Sequence, residues 1–173
     1  MFIILIFSPL YIIVGLVIYL QDFGHPIFKQ KRVGINEKLF TLMKFRSMPI
    51  NTKDVPSSQT KELKVTPFGK FIRRSNLDEL PQLINIFKGD MSLIGPRPSL
   101  PSQTDLVSLR RSKNVYSAKP GLTGLAQVNA FDNMPNEKKA EWDGIYVKKI
   151  SFIEDVKIVL KTIIYLTKKP PTY

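Results

Sequence analysis

The 173-residue chain has no cysteine and one histidine, His25. The first absence excludes disulfides, thiolate zinc sites and a cysteine nucleophile. The second leaves a Ser-His-Asp relay one imidazole to use, just beyond an apolar segment, and such a relay is set aside. Carboxylates are then the remaining candidates for nucleophile, base or metal ligand. Acidic residues are themselves in the minority, 14 against 26 lysines and arginines, for a formal net charge of +12. That excess calls for an anionic partner: nucleic acid, anionic lipid or a phosphorylated small molecule. The basic residues are dispersed and carry no nucleic-acid-binding motif, so nucleic acid is the weakest of the three. No repeat or low-complexity tract appears, and one domain with a modest core is the natural expectation.

Phe2 to Leu20 is apolar apart from Ser8, Pro9 and Gly15. Nineteen residues can only just span a bilayer. A cleaved signal peptide is not expected, since no positive n-region precedes the run and no small-x-small site follows it. The contest is between a straight transmembrane helix and a bent one that returns to the face it entered. Ser8-Pro9 predicts a kink, because proline removes a backbone hydrogen bond and clashes with the preceding turn. A kink alone does not establish re-entry. Lys29, Lys31 and Arg32 place the downstream end on the cytoplasmic side.

The chain is organised around Arg73 to Pro98, RRSNLDELPQLINIFKGDMSLIGPRP. Leu77, Leu80, Leu83, Ile84 and Phe87 fall at helical spacing, and Gly89 is a plausible C-cap. Asp78, Gln82 and Asn85 share the other face, with Glu79 adjacent. Two neighbouring carboxylates thus open a predicted helix directly after Arg73 and Arg74. Gly95-Pro96-Arg97-Pro98 then fixes the backbone around one more arginine. Asn76 to Glu79 also matches a capping box, and acids in a first turn suit the helix dipole, so the residues alone leave capping and chemistry both open. Arg73 and Arg97 are candidate phosphate contacts, because a guanidinium can clamp phosphate with two donors. Structural pairing with Asp90 or Glu79 is the plainer alternative.

Elsewhere, Gly34-Ile35-Asn36 between Phe28–Arg32 and Lys38–Phe45 predicts a small β-hairpin. On that pattern alone Lys44 and Arg46 lie on a solvated strand face. Asn51 to Lys61 reads as an exposed loop, and Thr66-Pro67 opens a short helix to Arg74. Leu100 to Ala118 and Glu137 to Val147 read as helical. The PGLTGLAQ turn from Pro120 to Gln127 has two glycines that could admit backbone amides to a nucleotide, or form a plain hairpin. Phe152 to Lys169 is a basic amphipathic helix, with Lys157, Lys161 and Lys168 on one stripe. It suits a membrane interface or ordinary core packing equally well.

The run LDELPQLINIFKGDMSLIGPRP resembles the signature of the bacterial sugar transferases, the small monotopic phosphoglycosyl transferases. Lys44-Phe45-Arg46-Ser47-Met48 upstream and KPGLTGLAQVN from Lys119 to Asn129 downstream agree with it, so the similarity covers nearly the whole chain. The resemblance implies an α+β, mainly helical fold. It would have a re-entrant membrane helix over residues 1–20, broken at Ser8 and Pro9, and a cytoplasmic, membrane-associated catalytic domain over 21–173. Interfacial amphipathic helices and the small β-hairpin belong to that domain. It also implies transfer of a sugar-1-phosphate from a UDP-sugar to undecaprenyl phosphate at the inner membrane, with release of UMP. In that scheme Asp78 is the nucleophile, Glu79 the Mg2+ ligand, and Lys44 a phosphate contact, with Gln127 and Asp143 also at the substrate. Chemistry alone does not divide the roles of the two acids. A helix N-terminus and Arg73 would favour an ionised Asp78.

Two departures from the family pattern stand out. Only Met1 precedes the apolar run, where members usually carry a short basic and aromatic stretch. Ala130-Phe131 replaces the usual Gly-Arg after Gln-Val-Asn, so a contact from that arginine is either absent here or supplied from elsewhere, with Arg110 and Arg111 as candidates. The partners expected are the UDP-sugar, the polyprenyl phosphate and inner-membrane lipids, with no nucleic acid; a homodimer is left open. The rival reading is a non-catalytic membrane adaptor that binds anionic lipid.

Overall fold

The computed structural model describes residues 2–50, 52, 65–129 and 134–167, with side chains from residue 8 onward. The expected loop over Asn51 to Lys61, apart from Thr52, lies outside them, as do Ala130-Phe131 and Lys168. The chain divides into two compact units, residues 1–30 with 41–88, and residues 31–40 with 89–172.

The first unit opens with α1 (Phe2–Asp22), a single helix that contains Pro9. Among the described residues no helix is long and apolar enough to cross a membrane. At the end of α1 the chain leaves the helical conformation through Phe23 (φ 53°). Asp22 Oδ1 secures this exit by accepting the Gly24 amide at 3.1 Å and Arg46 Nη2 at 2.5 Å. The expected hairpin is present as β1 (Ile27–Val33) and β2 (Leu39–Phe45), joined through a turn at Ile35–Glu37 in which Asn36 (φ 51°) and Glu37 (φ 59°) are left-handed. Its base belongs to the first unit and its tip to the second. The next helix, α2 (Pro67–Arg74), starts where Thr66 predicts it, the Thr66 hydroxyl accepting the Gly69 amide at 2.9 Å. The core of the unit is Val14, Ile18, Phe45 and Ile72, with Leu10, Tyr11, Leu77 and Leu80 packed against it. Tyr11 of α1 also donates its hydroxyl to the Leu80 carbonyl.

The predicted helix from Leu77 to Phe87 is divided in two. Leu77–Glu79 forms a 3-10 turn and α3 (Gln82–Phe87) follows. Pro81 is the cause: it has no N–H for the Leu77 carbonyl, which takes the Leu80 amide at 3.2 Å instead. Gly89, at φ +82°, ends the element as the sequence predicts.

In the second unit β3 (Ser92–Ile94) pairs in parallel with β4 (Gly121–Thr123), Ser92 opposite Gly121 and Ile94 opposite Thr123. Its described residues also form α4 (Thr104–Ser112), a 3-10 turn at Val115–Ser117, α5 (Leu125–Asn129), α6 (Asn136–Lys148) and α7 (Phe152–Thr167). PGLTGLAQ is therefore strand, glycine and helix rather than a hairpin turn. A Cβ on Gly121 would lie 2.1 Å from the Gly95 nitrogen, and one on Gly124 2.1 Å from the Gly95 oxygen. These glycines let two backbones cross. α7 packs on α5, β3 and β4 through Ile158, its one buried residue, and leaves much of its apolar stripe exposed, including Val159, Leu160, Ile163 and Ile164.

Candidate functional site

The acids Asp78 and Glu79 sit on the 3-10 turn of the first unit, between α2 and α3. Asn76 enters the turn left-handed, at φ 55°, and its side chain caps nothing. Its amide goes to the Arg73 carbonyl at 3.1 Å. The capping-box reading therefore fails, since a capping box needs that amide for the Glu79 carboxylate. Asp78 is 9% exposed, and Glu79 Oε1 accepts Lys44 Nζ at 2.6 Å. Lys44, which the strand pattern alone left on a solvated face, is thus drawn to the acids. The strand just before it is held by Asn85, which is wholly buried. Asn85 Oδ1 accepts the Met43 amide at 3.0 Å, and Nδ2 donates to the Thr41 carbonyl at 2.8 Å. The side-chain amide of α3 thereby pairs with β2 much as a neighbouring strand would. Arg73 is partly buried, its Nε donating to Ser47 Oγ at 2.7 Å.

The face that carries Asp78, Gln82 and Asn85 turns inward, while Phe87 is 65% exposed. Gln82, which the sequence reading gave no role, is 2% exposed, and its Nε2 has no hydrogen-bond partner among the described residues. Its signal was its place one helical turn beyond Asp78. The turn thus gathers two carboxylates, one lysine and an uncommitted amide donor, a set suited to a phosphorylated substrate. Among the described residues no group of three or more His, Cys, Asp or Glu could hold a metal. A magnesium site is nonetheless compatible with this donor set, because Mg2+ keeps several waters and takes only one or two carboxylates beside substrate phosphates.

Arg97, Gln127 and Asp143 belong to the second unit. Arg97 is the one exposed residue between Gly95 and Leu100. Gln127 Nε2 donates to the Leu122 carbonyl at 3.1 Å, and its buried Oε1 has no partner among the described residues. Asp143 does not reach the surface. It is 1% exposed, and its Oδ2 accepts Arg110 Nε at 2.9 Å and Nη2 at 2.6 Å. The expectation that Asp143 touches substrate gives way to this buried pairing. Burial pushes the Asp143 carboxyl above its usual range, against the opposing pull of Arg110 and Lys139. Of the two replacements considered for the missing family arginine, Arg110 is buried against Asp143, whereas Arg111 is exposed and pairs with Glu37 at 2.5 Å on the surface. Tyr146 donates to Asp155 Oδ1 at 2.9 Å, linking α6 to the first turn of α7. Burial, reinforced by Asp155, holds its phenol well above the usual range.

The model of the family described as bacterial sugar transferase matches residues 1–169. Over 141 residues the chain is 42% identical to the uncharacterised sugar transferase EpsL of Bacillus subtilis, covering 81% of this chain and 69% of that protein. It is 37% identical over 169 residues to the UDP-glucose:undecaprenyl-phosphate glucose-1-phosphate transferase of Caulobacter vibrioides, covering 91% of this chain and 62% of that one. It is 40% identical over 165 residues to an Aeromonas hydrophila protein, the UDP-N-acetylgalactosamine-undecaprenyl-phosphate N-acetylgalactosaminephosphotransferase. That match covers 91% of this chain and 39% of the relative.

Proposed function

Because the chain belongs to the bacterial sugar transferase family, we propose that it is a phosphoglycosyl transferase that moves a sugar-1-phosphate from a UDP-sugar to undecaprenyl phosphate and releases UMP. The observation that carries this reading is the acid turn, where a mostly buried Asp78 stands beside a Glu79 already neutralised by Lys44. The relatives' names supply the reactants, a UDP-sugar and undecaprenyl phosphate.

In the reaction, an Asp78 carboxylate oxygen attacks the sugar-bearing phosphorus of the donor. The bond from that phosphorus to the bridging oxygen breaks, and the oxygen leaves with UMP. The sugar-1-phosphate is then held on Asp78 as an acyl phosphate. An oxygen of the polyprenyl phosphate attacks the same phosphorus and frees the carboxylate. Glu79 would hold Mg2+, which when bound supplies positive charge to the diphosphate oxygens. On the first unit Lys44 and Arg73 are the phosphate contacts; on the second, taken by itself, Arg97 is read as a phosphate contact and Gln127 as a substrate residue. The enzyme lies monotopically on the cytoplasmic face of the inner membrane. Residues 1–20 form a re-entrant helix bent at Ser8 and Pro9, and residues 21–173 form the catalytic domain. Exposed Ile12, Ile13, Leu16 and Leu20 on α1 support lipid contact. The product opens the assembly of a lipid-linked glycan.

The test is intact mass after incubating detergent-purified protein with magnesium and a panel of UDP-sugars, without acceptor. An added sugar-phosphate mass, absent in Asp78→Asn, is the expected result and identifies the donor. UMP release that needs acceptor, with no adduct, would make Asp78 a base for direct transfer. Silence with every donor in both formats would leave the lipid-binding adaptor.

A further inference from the structure

The segment Gly95 to Ser99 is held from four directions, all within the second unit. Pro96 O accepts the Gly121 amide at 3.0 Å, and Ser99 O accepts the Val33 amide at 3.0 Å. The two carbonyls between them are taken by arginine side chains: Arg97 O by Arg110 Nη1 at 2.7 Å, and Pro98 O by Arg32 Nη1 at 3.0 Å. On the other side, the Gly95 amide reaches Thr123 O at 2.9 Å. Pro96 and Pro98 fix φ on either side of Arg97. Every carbonyl from 96 to 99 is thus claimed by a different residue, while Arg97 alone among Gly95 to Leu100 is exposed.

We propose that Arg110, Asp143 and Arg32 are positioning residues, whose work is to hold this backbone so that the Arg97 guanidinium is presented to a phosphate in one orientation. Arg110 is 4% exposed and Asp143 1% exposed. A buried ion pair is a poor source of stability compared with well-packed apolar side chains, so stability alone does not account for it. Its geometry accounts for it better. The planar guanidinium turns Nε and Nη2 to Asp143 and Nη1 to the Arg97 carbonyl, which requires donors fixed on two sides of one group. Asp143 neutralises Arg110 and sets its rotation; Arg110 sets the backbone; the backbone aims Arg97. A lysine at 110 would keep the charge and lose the fork.

The inference rests on the reading of Arg97 as a phosphate contact, and the experiment separates the two. Donor kcat and KM are measured by UMP release for wild type, Arg97→Ala, Arg110→Lys and the double variant, with melting temperatures alongside. Arg97→Ala should lower kcat/KM about 100-fold, the usual scale for one donor to a transferring phosphoryl group. Arg110→Lys should lower it about tenfold through misplacement, and the double variant should match Arg97→Ala alone. Arg32→Lys provides the same comparison if Arg110→Lys does not fold. Hydrogen exchange over Gly95 to Leu100 should rise in Arg110→Lys and stay unchanged in Arg97→Ala. Losses that multiply in the double variant, or unchanged exchange in Arg110→Lys, overturn the positioning role while leaving Arg97 in place. A fully active Arg97→Ala overturns the phosphate reading and the positioning role together.

Discussion

Replacing Asn85 by alanine removes one side chain and strands two backbone groups. The Met43 amide and Thr41 carbonyl, now bound at 3.0 Å and 2.8 Å, lose their partners beside a wholly buried position. Each backbone group left unmatched costs about 1–3 kcal/mol, so a total of about 3 kcal/mol is expected for the pair once some water enters. For a chain of this size that corresponds to a fall in melting temperature of about 6–12 °C. Thermal unfolding in one detergent, followed by fluorescence of Trp142, measures it. Asn85→Asp refines the test. Its carboxylate can still accept from Met43 but turns an oxygen toward the Thr41 carbonyl, whereas the protonated acid regains a donor. The folded-state pKa of that new acid is therefore raised, and its deficit shrinks as pH falls below that value. An Asn85→Ala protein that melts within about 1 °C of wild type, below about 0.5 kcal/mol by the same scaling, would refute the claim that this amide anchors β2.

Two further predictions are independent of it. Gly121→Ala would set a Cβ 2.1 Å from the Gly95 nitrogen and 2.5 Å from the Thr123 oxygen. Backbone crowding of this kind costs about 3 kcal/mol or more and should show as early melting with loss of protection at the Gly95 amide. The Asp22 carboxyl is held below its usual range, since hydrogen bonds from Arg46 and the Gly24 amide outweigh the burial that works against them. A depressed carboxyl contributes stability above its unfolded pKa of about 3.9 and loses it as pH falls through the lower folded value. Asp22→Asn should therefore show its melting deficit at pH 7 and converge on wild type in acid; a deficit constant down to pH 3 would refute the ionic account.

Elements with local signals were legible in the sequence. Thr66-Pro67 announced α2, the Gly34 turn announced the hairpin, and Gly89 announced the end of α3. The β3–β4 pair was not, because two three-residue strands that pair in parallel across a long separation carry neither alternation nor a turn signature. Pro81 stood in plain view within LDELPQL, but apolar periodicity continued across it and concealed the break. At the candidate site, the nearness of Lys44 to Glu79 was not legible from the strand pattern, which placed Lys44 on a solvated face, because the two are far apart in sequence. Arg110–Asp143 was missed because its partners are distant in sequence. A signal existed: Arg110 follows Leu106 by one turn on the buried face of α4, and Asp143 lies between buried Ala140 and Gly144 on α6. A charge at a core position on each of two helices is a reason to look for an ion pair.

Tyr11 gives α1 a mechanical connection to the acid turn. Its hydroxyl holds the Leu80 carbonyl, one residue beyond Glu79, and Val14 and Ile18 share a core with the Leu77 and Leu80 side chains. A helix advances about 1.5 Å per residue, so a shift of α1 by a single residue along its axis would carry the anchor that far. On the proposal that α1 is seated in lipid, acyl-chain length is then a structural variable. Turnover compared in a short-chain and a long-chain detergent compares two settings of the carboxylate turn, and a mixed-micelle series becomes a ruler for how tightly the two are geared.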